Sequence, residues 1–365
     1  MAGCLFRQAG CDVTVYERAV GDLAGRGAGL GVSRELLEVM HRAGARFEAS
    51  AGVAQSAHVW MEKSGRIAFE HRRNLMASAW ARVYQPLRAA LPAASYRHAM
   101  TLERIEEGAA IFADGTREPA DLIVAADGVY STVRRQFLPD VQPRFANYVA
   151  WRGLVPEHEL PPASLRVVNG RIVFCFPERE MLLSMRVPGA VYFIWYRGLE
   201  GRPLAELFTD AAGKDHGMSI PPPLIRPELV RELKLHAREV LPAPISDVVQ
   251  RTAQPLLQAI SDMESPRMTF NHVALLGDAA FVVRPHVAGG ASKAALDASA
   301  LAEAAAGGDL AGGLARYEAR QLDFGSRLVQ HSRYLGADLE GRPTERDPAR
   351  IMRDYGAPHL LHDVD

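Results

Sequence analysis

Cysteine is scarce in this chain of 365 residues: there are three, Cys4, Cys11 and Cys175. An odd number with no C-x-x-C spacing gives no disulfide framework, and without histidines at H-E-x-x-H spacing no zinc site is expected either. An excess of charge is missing too. Lys and Arg number 42 against 43 Asp and Glu, a formal net charge of -1, so no global basic field exists to hold a nucleic-acid backbone or an anionic membrane. No apolar run reaches the ~18 residues a membrane span requires, and Met1 to Arg7 lacks the basic start and sustained apolar core of a signal peptide. The expectation is a soluble cytoplasmic protein with no metal, nucleic-acid or membrane partner. A composition of 48% hydrophobic and 23% charged residues over this length suits two globular domains.

Ala2, Leu5, Phe6 and Ala9 recur at helical spacing, and Gly10 supplies a left-handed stop. Cys11-Asp12-Val13-Thr14-Val15-Tyr16-Glu17 follows as a β-branched strand with an acid at its carboxyl end. Helix, turn, strand and acid match the second half of a dinucleotide-binding βαβ unit, where the acid accepts hydrogen bonds from the adenosine ribose. Glu17 is the ribose candidate, with Arg18 beside it; a solvated Glu after an ordinary turn is the alternative. The phosphate loop G-x-G-x-x-G belongs about 20 residues before that acid, and counting back from Glu17 passes Met1. Gly25, Gly27, Gly29 and Gly31 follow the acid and lack the register. The first strand and its loop are therefore expected to be missing from this sequence, by truncation or a start codon assigned too late, leaving a chain that binds a dinucleotide poorly.

The glycine cluster reads as a loop into Ser33, an N-cap for a helix with Leu36, Leu37 and Met40 on one face and Gly44 as its stop. Tyr96 to Phe112 alternates as strands, and Ala113-Asp114-Gly115-Thr116 is a hairpin turn. Leu122 to Ala126 reads as a strand buried on both faces; it ends at Asp127-Gly128, where the strand ends of open α/β sheets face the ligand crevice. From Tyr148 to Met268 aromatic, β-branched runs separated by Pro and Gly read as an antiparallel sheet, with a proline-bounded helix over Pro227 to Val240. One face of such a sheet packs on helices, leaving a minority of its aromatics for a cavity. His272 to Leu276 is another buried strand. It ends at Gly277-Asp278-Ala279-Ala280, and after Arg284-Pro285-His286 a Gly289-Gly290 pair opens an Ala-rich helix over 292–306. Free N–H groups and the positive end of the helix dipole converge there, which favours an anionic or electron-rich ring edge. Two glycines that merely allow close helix packing are the alternative. Tyr317, Phe324, Leu328 and Leu335 continue as a helix.

In order and spacing, these pieces resemble the FAD-dependent aromatic hydroxylases of the p-hydroxybenzoate hydroxylase fold, over nearly the whole chain. Val13 to Glu17, Ala125-Ala126-Asp127-Gly128 through Arg134, and Gly277-Asp278-Ala279-Ala280 with Pro285 and Gly289-Gly290 carry the resemblance. Within the family the hydroxypyridine and hydroxynicotinate monooxygenases are most similar, on Ser78-Ala79-Trp80 with Tyr84, Trp151-Arg152-Gly153, Arg284-Pro285-His286 and the tail from Asp354 to His362. Phe281 stands where many relatives have His, and Tyr84 where many have Arg.

The resemblance implies an α/β fold: an FAD-binding Rossmann-like domain over 1–147 and 269–340, an inserted, mainly antiparallel substrate domain over 148–268, and a tail over 341–365. It also implies two cofactors. FAD would have its ribose at Glu17 with Arg18, its pyrophosphate near Asp127 and Gly128, its ribityl chain at Gly277 and Asp278, and its flavin ring at Pro285, Gly289, Gly290 and Ala291. NADH or NADPH would reduce it, and dioxygen, through a flavin C4a-hydroperoxide, would hydroxylate an electron-rich ring. His286 is the candidate for the ring hydroxyl or a proton relay, because histidine titrates near neutral pH; a structural histidine is the alternative. Arg152 and Tyr196 are candidates for an anionic substrate, and a homodimer follows by analogy. A flavin oxidase or epoxidase, or a flavin-deficient member of the fold, remain the rival readings.

Overall fold

The computed structural model describes residues 1–23, 29–199, 201–342 and 346–356. Helix α1 (Ala2–Gln8) buries Cys4, Leu5 and Phe6, and Gly10, at φ 87°, turns the chain toward β1 (Val15–Tyr16). The strand is shorter than 11–17 because only these two residues find ladder partners, Tyr96 and Arg97. Gly29 and Gly31 lie in a strand, β2 (Gly29–Val32), where a loop was expected. A Cβ on Gly29 would meet the Tyr192 ring at 2.8 Å, so the glycine is what lets the strand lie on that ring. Gly25 and Gly27 fall outside the described residues. Ser33 caps α2 (Arg34–Arg42), its hydroxyl accepting from the Leu36 N–H. A long hairpin of β3 (Gly52–Met61) and β4 (Ile67–Ala79) precedes α3 (Trp80–Ala89). Then come β5 (Tyr96–Arg97) and the meander β6 (Leu102–Glu106), β7 (Ala109–Phe112) and β8 (Arg117–Pro119), with the expected turn at Gly115. Strand β9 (Ile123–Ala125) leads to α4 (Thr132–Phe137).

The middle of the chain supplies β10 (Arg144–Pro156), α5 (Pro162–Val167), β11 (Arg171–Cys175), β12 (Glu180–Val187), β13 (Ala190–Gly198), α6 (Leu204–Phe208) and β14 (Ser219–Ile220). Helix α7 (Pro227–Val240) has the expected bounds; α8 (Ala243–Arg251) and β15 (Leu256–Glu264) follow. The last third contains β16 (Thr269–Phe270), β17 (Val273–Leu275), β18 (Phe281–Val282), α9 (Gly290–Ala306), α10 (Leu310–Leu335) and, in what reads as a plain tail, α11 (Pro348–Asp354).

The largest sheet has the order β14-β15-β10-β13-β12-β11-β3-β4-β2. Its pairs are antiparallel apart from β11 with β3. Its membership extends past 148–268, since β2, β3 and β4 come from the first eighty residues. Neighbours along a strand point to opposite faces. Val149, Trp151, Phe193 and Trp195 therefore share one core with Leu229 and Leu233 of α7 and Ile245 and Val248 of α8. Burying each large side chain there stabilises by roughly 1.5–3 kcal/mol. The alternate residues Tyr148, Ala150, Tyr192 and Tyr196 face the other way, into a cluster shared with Met352 and Tyr355 of the C-terminal segment.

A second body forms around α9, whose Ala295, Ala298 and Leu301 pack with α1, α2 and α10. Here β9 and β17 run parallel in a three-stranded sheet of order β16-β17-β9. Ile123 and Val124 are half-buried, where burial on both faces was expected, because β9 is the edge of that sheet. Among the described residues no helix is long and apolar enough to cross a membrane, no cluster of side chains suits a metal ion, and all three cysteines are free.

Candidate functional site

Two turns leave adjacent parallel strands at the same level. Ala125 and Leu275 are ladder partners, so Asp127-Gly128 and Gly277-Asp278 emerge side by side at the carboxyl ends of β9 and β17. Gly128 and Gly277 have φ of 79° and 62°, a left-handed turn that a side chain would strain. Asp127 caps α4, accepting from the Thr132 and Val133 N–H groups at 2.7 and 3.3 Å. The guanidinium of Arg134, fully buried, donates to Val129 O at 2.6 Å and Ala279 O at 3.0 Å and so clamps one loop to the other.

The helix start is tied to the same place. Lys293 and Asp297 of α9 form a wholly buried pair at 2.6 Å. Lys293 donates to Gly277 O at 3.1 Å, and Gly277 N–H donates to Asp297 at 2.9 Å. No side chain caps α9, so the first-turn N–H groups after Gly289, at Gly290 and Ala291, are open to an acceptor. Pro285 starts the single helical turn, Pro285–Val287, that leads there. Asp278 is exposed, between the buried Gly277 and Ala279. Desolvation, with Asp297 adding to it, pushes its carboxyl above the ordinary range against the pull of Lys293. The structure thus gathers Asp127, Gly128, Gly277, Asp278, Pro285, Gly289, Gly290 and Ala291. Glu17 and Arg18 stand apart from that group. Glu17 accepts from Ala19 N–H at 2.8 Å and its backbone bonds to Arg97 and Met100, Arg18 is exposed, and β1 belongs to a separate sheet with β5.

The side of the large sheet that carries Tyr148 meets the loop before α9. Ala150 pairs with Tyr196 across β10 and β13, so Tyr148, Arg152 and Tyr196 lie on one face. Opposite them sits His286, fully buried, its Nε2 2.6 Å from Tyr148 Oη and its ring centroid 4.3 Å from that of Tyr196. Three buried polar atoms on these residues have no partner: Arg152 Nε, Tyr196 Oη and His286 Nδ1. Each such atom costs on the order of 1–3 kcal/mol when it stays unpaired. Three on one wall mark a place where a polar ligand completes the structure. Tyr192 and Tyr196 flank Ile194, the strand partner of Arg152, on the same face of the sheet.

His286 differs from expectation in one respect. Burial first, and the cation of Arg284 second, lower its pKa to about 3, so it is a fixed neutral group through the physiological range and does not titrate there. Arg284 is itself buried and donates to Asp262 through two nitrogens, at 2.7 and 2.6 Å, and also to Glu340. Arg333 reaches the other oxygen of Asp262 at 2.6 Å. Burial raises the Asp262 pKa, but hydrogen bonds from Arg333 and Arg284 outweigh it and leave the carboxyl below its usual range. Phe281 is buried against Gly325 of α10, with Lys293 Nζ 5.3 Å from its ring centre.

Sequence reasoning passed over Tyr148, Arg134 and Lys293. Tyr148 was within reach, because period-two alternation from Arg152 puts both on one face. Arg134 and Lys293 act through contacts 145 and 16 residues away, which no local pattern encodes. His359 and His362 lie outside the described residues.

A family model described as FAD binding domain-like matches residues 145–262. The chain is 29% identical to 2,6-dihydroxypyridine 3-monooxygenase of Paenarthrobacter nicotinovorans, over 93% of this chain and 88% of that protein. It is 25% identical to 6-hydroxynicotinate 3-monooxygenase of Pseudomonas fluorescens, over 95% and 90%. The solved structure of 2,6-dihydroxypyridine-3-hydroxylase from Arthrobacter nicotinovorans superposes with a TM-score of 0.88 at 28% identity, covering 95% of this chain and 92% of that one.

Proposed function

We propose that this chain, a homologue of the FAD-dependent aromatic-ring monooxygenases with the p-hydroxybenzoate hydroxylase fold, hydroxylates a hydroxypyridine-type or phenolic ring with NADH or NADPH and dioxygen. The observation that carries the substrate side is the triad of unpaired buried atoms, Arg152 Nε, Tyr196 Oη and His286 Nδ1, beside the loop that leads into α9. A hydroxylated ring entering as its oxyanion supplies what they lack: an anionic acceptor for Arg152 and Tyr196, and a hydrogen-bond partner for His286.

The residues at the ends of β9 and β17 and at the start of α9 fit the flavin end of FAD. Asp278 and Gly277 would take the ribityl chain and Asp127 and Gly128 would adjoin the pyrophosphate, while Glu17 with Arg18, which stand apart from that group, would have to take the adenosine ribose. Gly289, Gly290 and Ala291, entered through Pro285, aim N–H groups at the flavin edge, where a preorganised amide cluster stabilises negative charge. When bound, FAD supplies the activation of dioxygen and the transfer of oxygen to the ring. The chain's own part is orientation and exclusion of water. Arg152 and Tyr196 hold the ring oxygen deprotonated, which enriches the ring in electrons, and the neutral His286, fixed by Tyr148, holds a second polar substituent in place.

The test is product analysis. The FAD-loaded enzyme, given NADH and either 2,6-dihydroxypyridine or 6-hydroxynicotinate, is expected to form a ring-hydroxylated product in step with NADH consumption. NADH oxidation that yields hydrogen peroxide and no hydroxylated ring would refute the monooxygenase reading.

A further inference from the structure

We propose that Tyr148 is a positioning residue that fixes His286 as the tautomer protonated at Nδ1, so that the site takes a ring substituent that accepts a hydrogen bond and rejects one that donates. The inference rests on the reading above that Arg152, Tyr196 and His286 receive the ring, and it adds the polarity that reading leaves open. Tyr148 Oη and His286 Nε2 are 2.6 Å apart, and both residues are wholly buried. One hydrogen lies between them, and either atom is able to supply it. The cation on the other side of the phenol decides which does. Three polar atoms crowd the end of α10, where a Cβ on Gly336 would lie 2.7 Å from Tyr148 Oη, 2.9 Å from Arg284 Nη1 and 3.2 Å from His286 Nε2. Asp262 and Glu340 hold the guanidinium there. Arg284 Nη1 is buried with no acceptor of its own, and a guanidinium only donates. It presents N–H groups to the phenol oxygen, whose hydrogen turns away from the cation and toward Nε2.

A neutral imidazole carries one hydrogen, and the bond made by one ring nitrogen sets the state of the other. With Nε2 accepting, the hydrogen sits on Nδ1. That atom is buried and without a partner, and as an N–H it calls for an acceptor. Burial keeps the imidazole neutral and the phenol protonated, so this order of donors holds through the physiological range. Arg152 Nε, also unpaired, is a donor in every state. Both nitrogens therefore call for oxygen. A ring bearing two oxygens, as oxo or oxyanion, satisfies the pair. An amino group in place of the second oxygen sets donor against donor and leaves both buried without a partner.

The experiment has two readouts on the FAD-loaded enzyme without NADH. Nitrogen NMR of isotope-labelled histidine near neutral pH, with the His286 signals assigned by their loss in His286→Gln, is expected to show a neutral ring with its hydrogen on Nδ1. In Tyr148→Phe the hydrogen should pass at least in part to Nε2. Calorimetric titration is expected to show the wild type binding 2,6-dihydroxypyridine about tenfold tighter than 6-amino-2-hydroxypyridine, and Tyr148→Phe narrowing that ratio to about threefold or less. A tyrosine that only fills space would weaken both rings alike and leave the ratio where it was. Hydrogen on Nε2 in the wild type, a tautomer unmoved in Tyr148→Phe, an unchanged ratio, or failure of the wild type to bind either ring would overturn the inference. If Tyr148→Phe does not fold, the tautomer and the ratio of the wild type decide. Product analysis judges the monooxygenase reading separately: peroxide without hydroxylated ring sinks that reading, while the spectrum and the affinity ratio still decide Tyr148.

Discussion

The two halves of the site are built by different means. At the ends of β9 and β17 the working groups are mostly backbone: left-handed glycines, a carboxylate on a turn and uncapped amides at the start of α9. On the face of the large sheet and the loop opposite it they are side chains, from Tyr148, Arg152, Tyr196 and His286. A backbone site tolerates almost any side chain around it so long as the turns and braces hold. A side-chain site is bespoke, and it carries the cost of polar atoms that stay unpaired until the ligand arrives. Generality and selectivity are thereby separated onto two surfaces that meet at Pro285 to Gly290.

That division breaks most visibly if the brace beneath both surfaces is removed. Arg284→Met strands Asp262 and Glu340 in the interior and should cost about 3 kcal/mol or more of stability, read as a fall in melting temperature together with loss of both flavin and ring binding. Arg152→Met separates the halves. Ring turnover, as kcat/KM, should fall about 100-fold while FAD content is unchanged, since a charge-assisted contact is lost on one surface only; a variant that also loses flavin would contradict the division.

Acid should act on the side-chain half. His286 and His58 are held neutral by burial, with pKa values lowered to about 3 and about 4 from 6.5. The unfolded chain therefore binds protons that the folded one refuses as pH drops below about 6.5. Stability should fall by roughly 1 kcal/mol per pH unit for each histidine, levelling off near pH 4 for His58 and near pH 3 for His286. Denaturant midpoints between pH 7 and 4.5 measure this, and His58→Phe should flatten the slope. On the backbone half, Asp278→Asn should raise the FAD dissociation constant about tenfold, by fluorescence titration, and leave the relative preference among rings unaltered. The smallest effect is the most diagnostic. Tyr196→Phe removes an unpaired buried hydroxyl, so the ring-free protein should be equal or up to ~1 kcal/mol more stable, while ring affinity declines; a clear loss of stability would mean that the hydroxyl has a partner.

The same contrast explains how much was legible in the sequence. Backbone sites leave signatures of short range: Asp127-Gly128 and Gly277-Asp278 each follow a strand, and Gly289-Gly290 precedes a helix, so the turns and the helix start that the structure brings together were readable residue by residue. So were α7 and the facing of one sheet side onto helices, because each depends on local period and punctuation. The strands β2 to β4 joined the large sheet without announcing it, since the link that brings them in, β3 with β11, pairs residues more than a hundred apart, as Arg171 is from Ala57. The shift on His286 was unreadable for a similar reason. Its pKa is set by how completely Tyr148, Tyr196 and Arg284 surround it, and enclosure is a property of the assembled chain. Tyr355 could be quoted as part of a resemblance, yet nothing in its neighbours along the sequence says that it ends buried against Phe174 and His58.

The tail's anchorage on the His286 carbonyl also ties distant parts of the chain together: the segment after α10 closes back on the loop before α9, so a change in the tail is felt at His286 although the two are far apart in sequence.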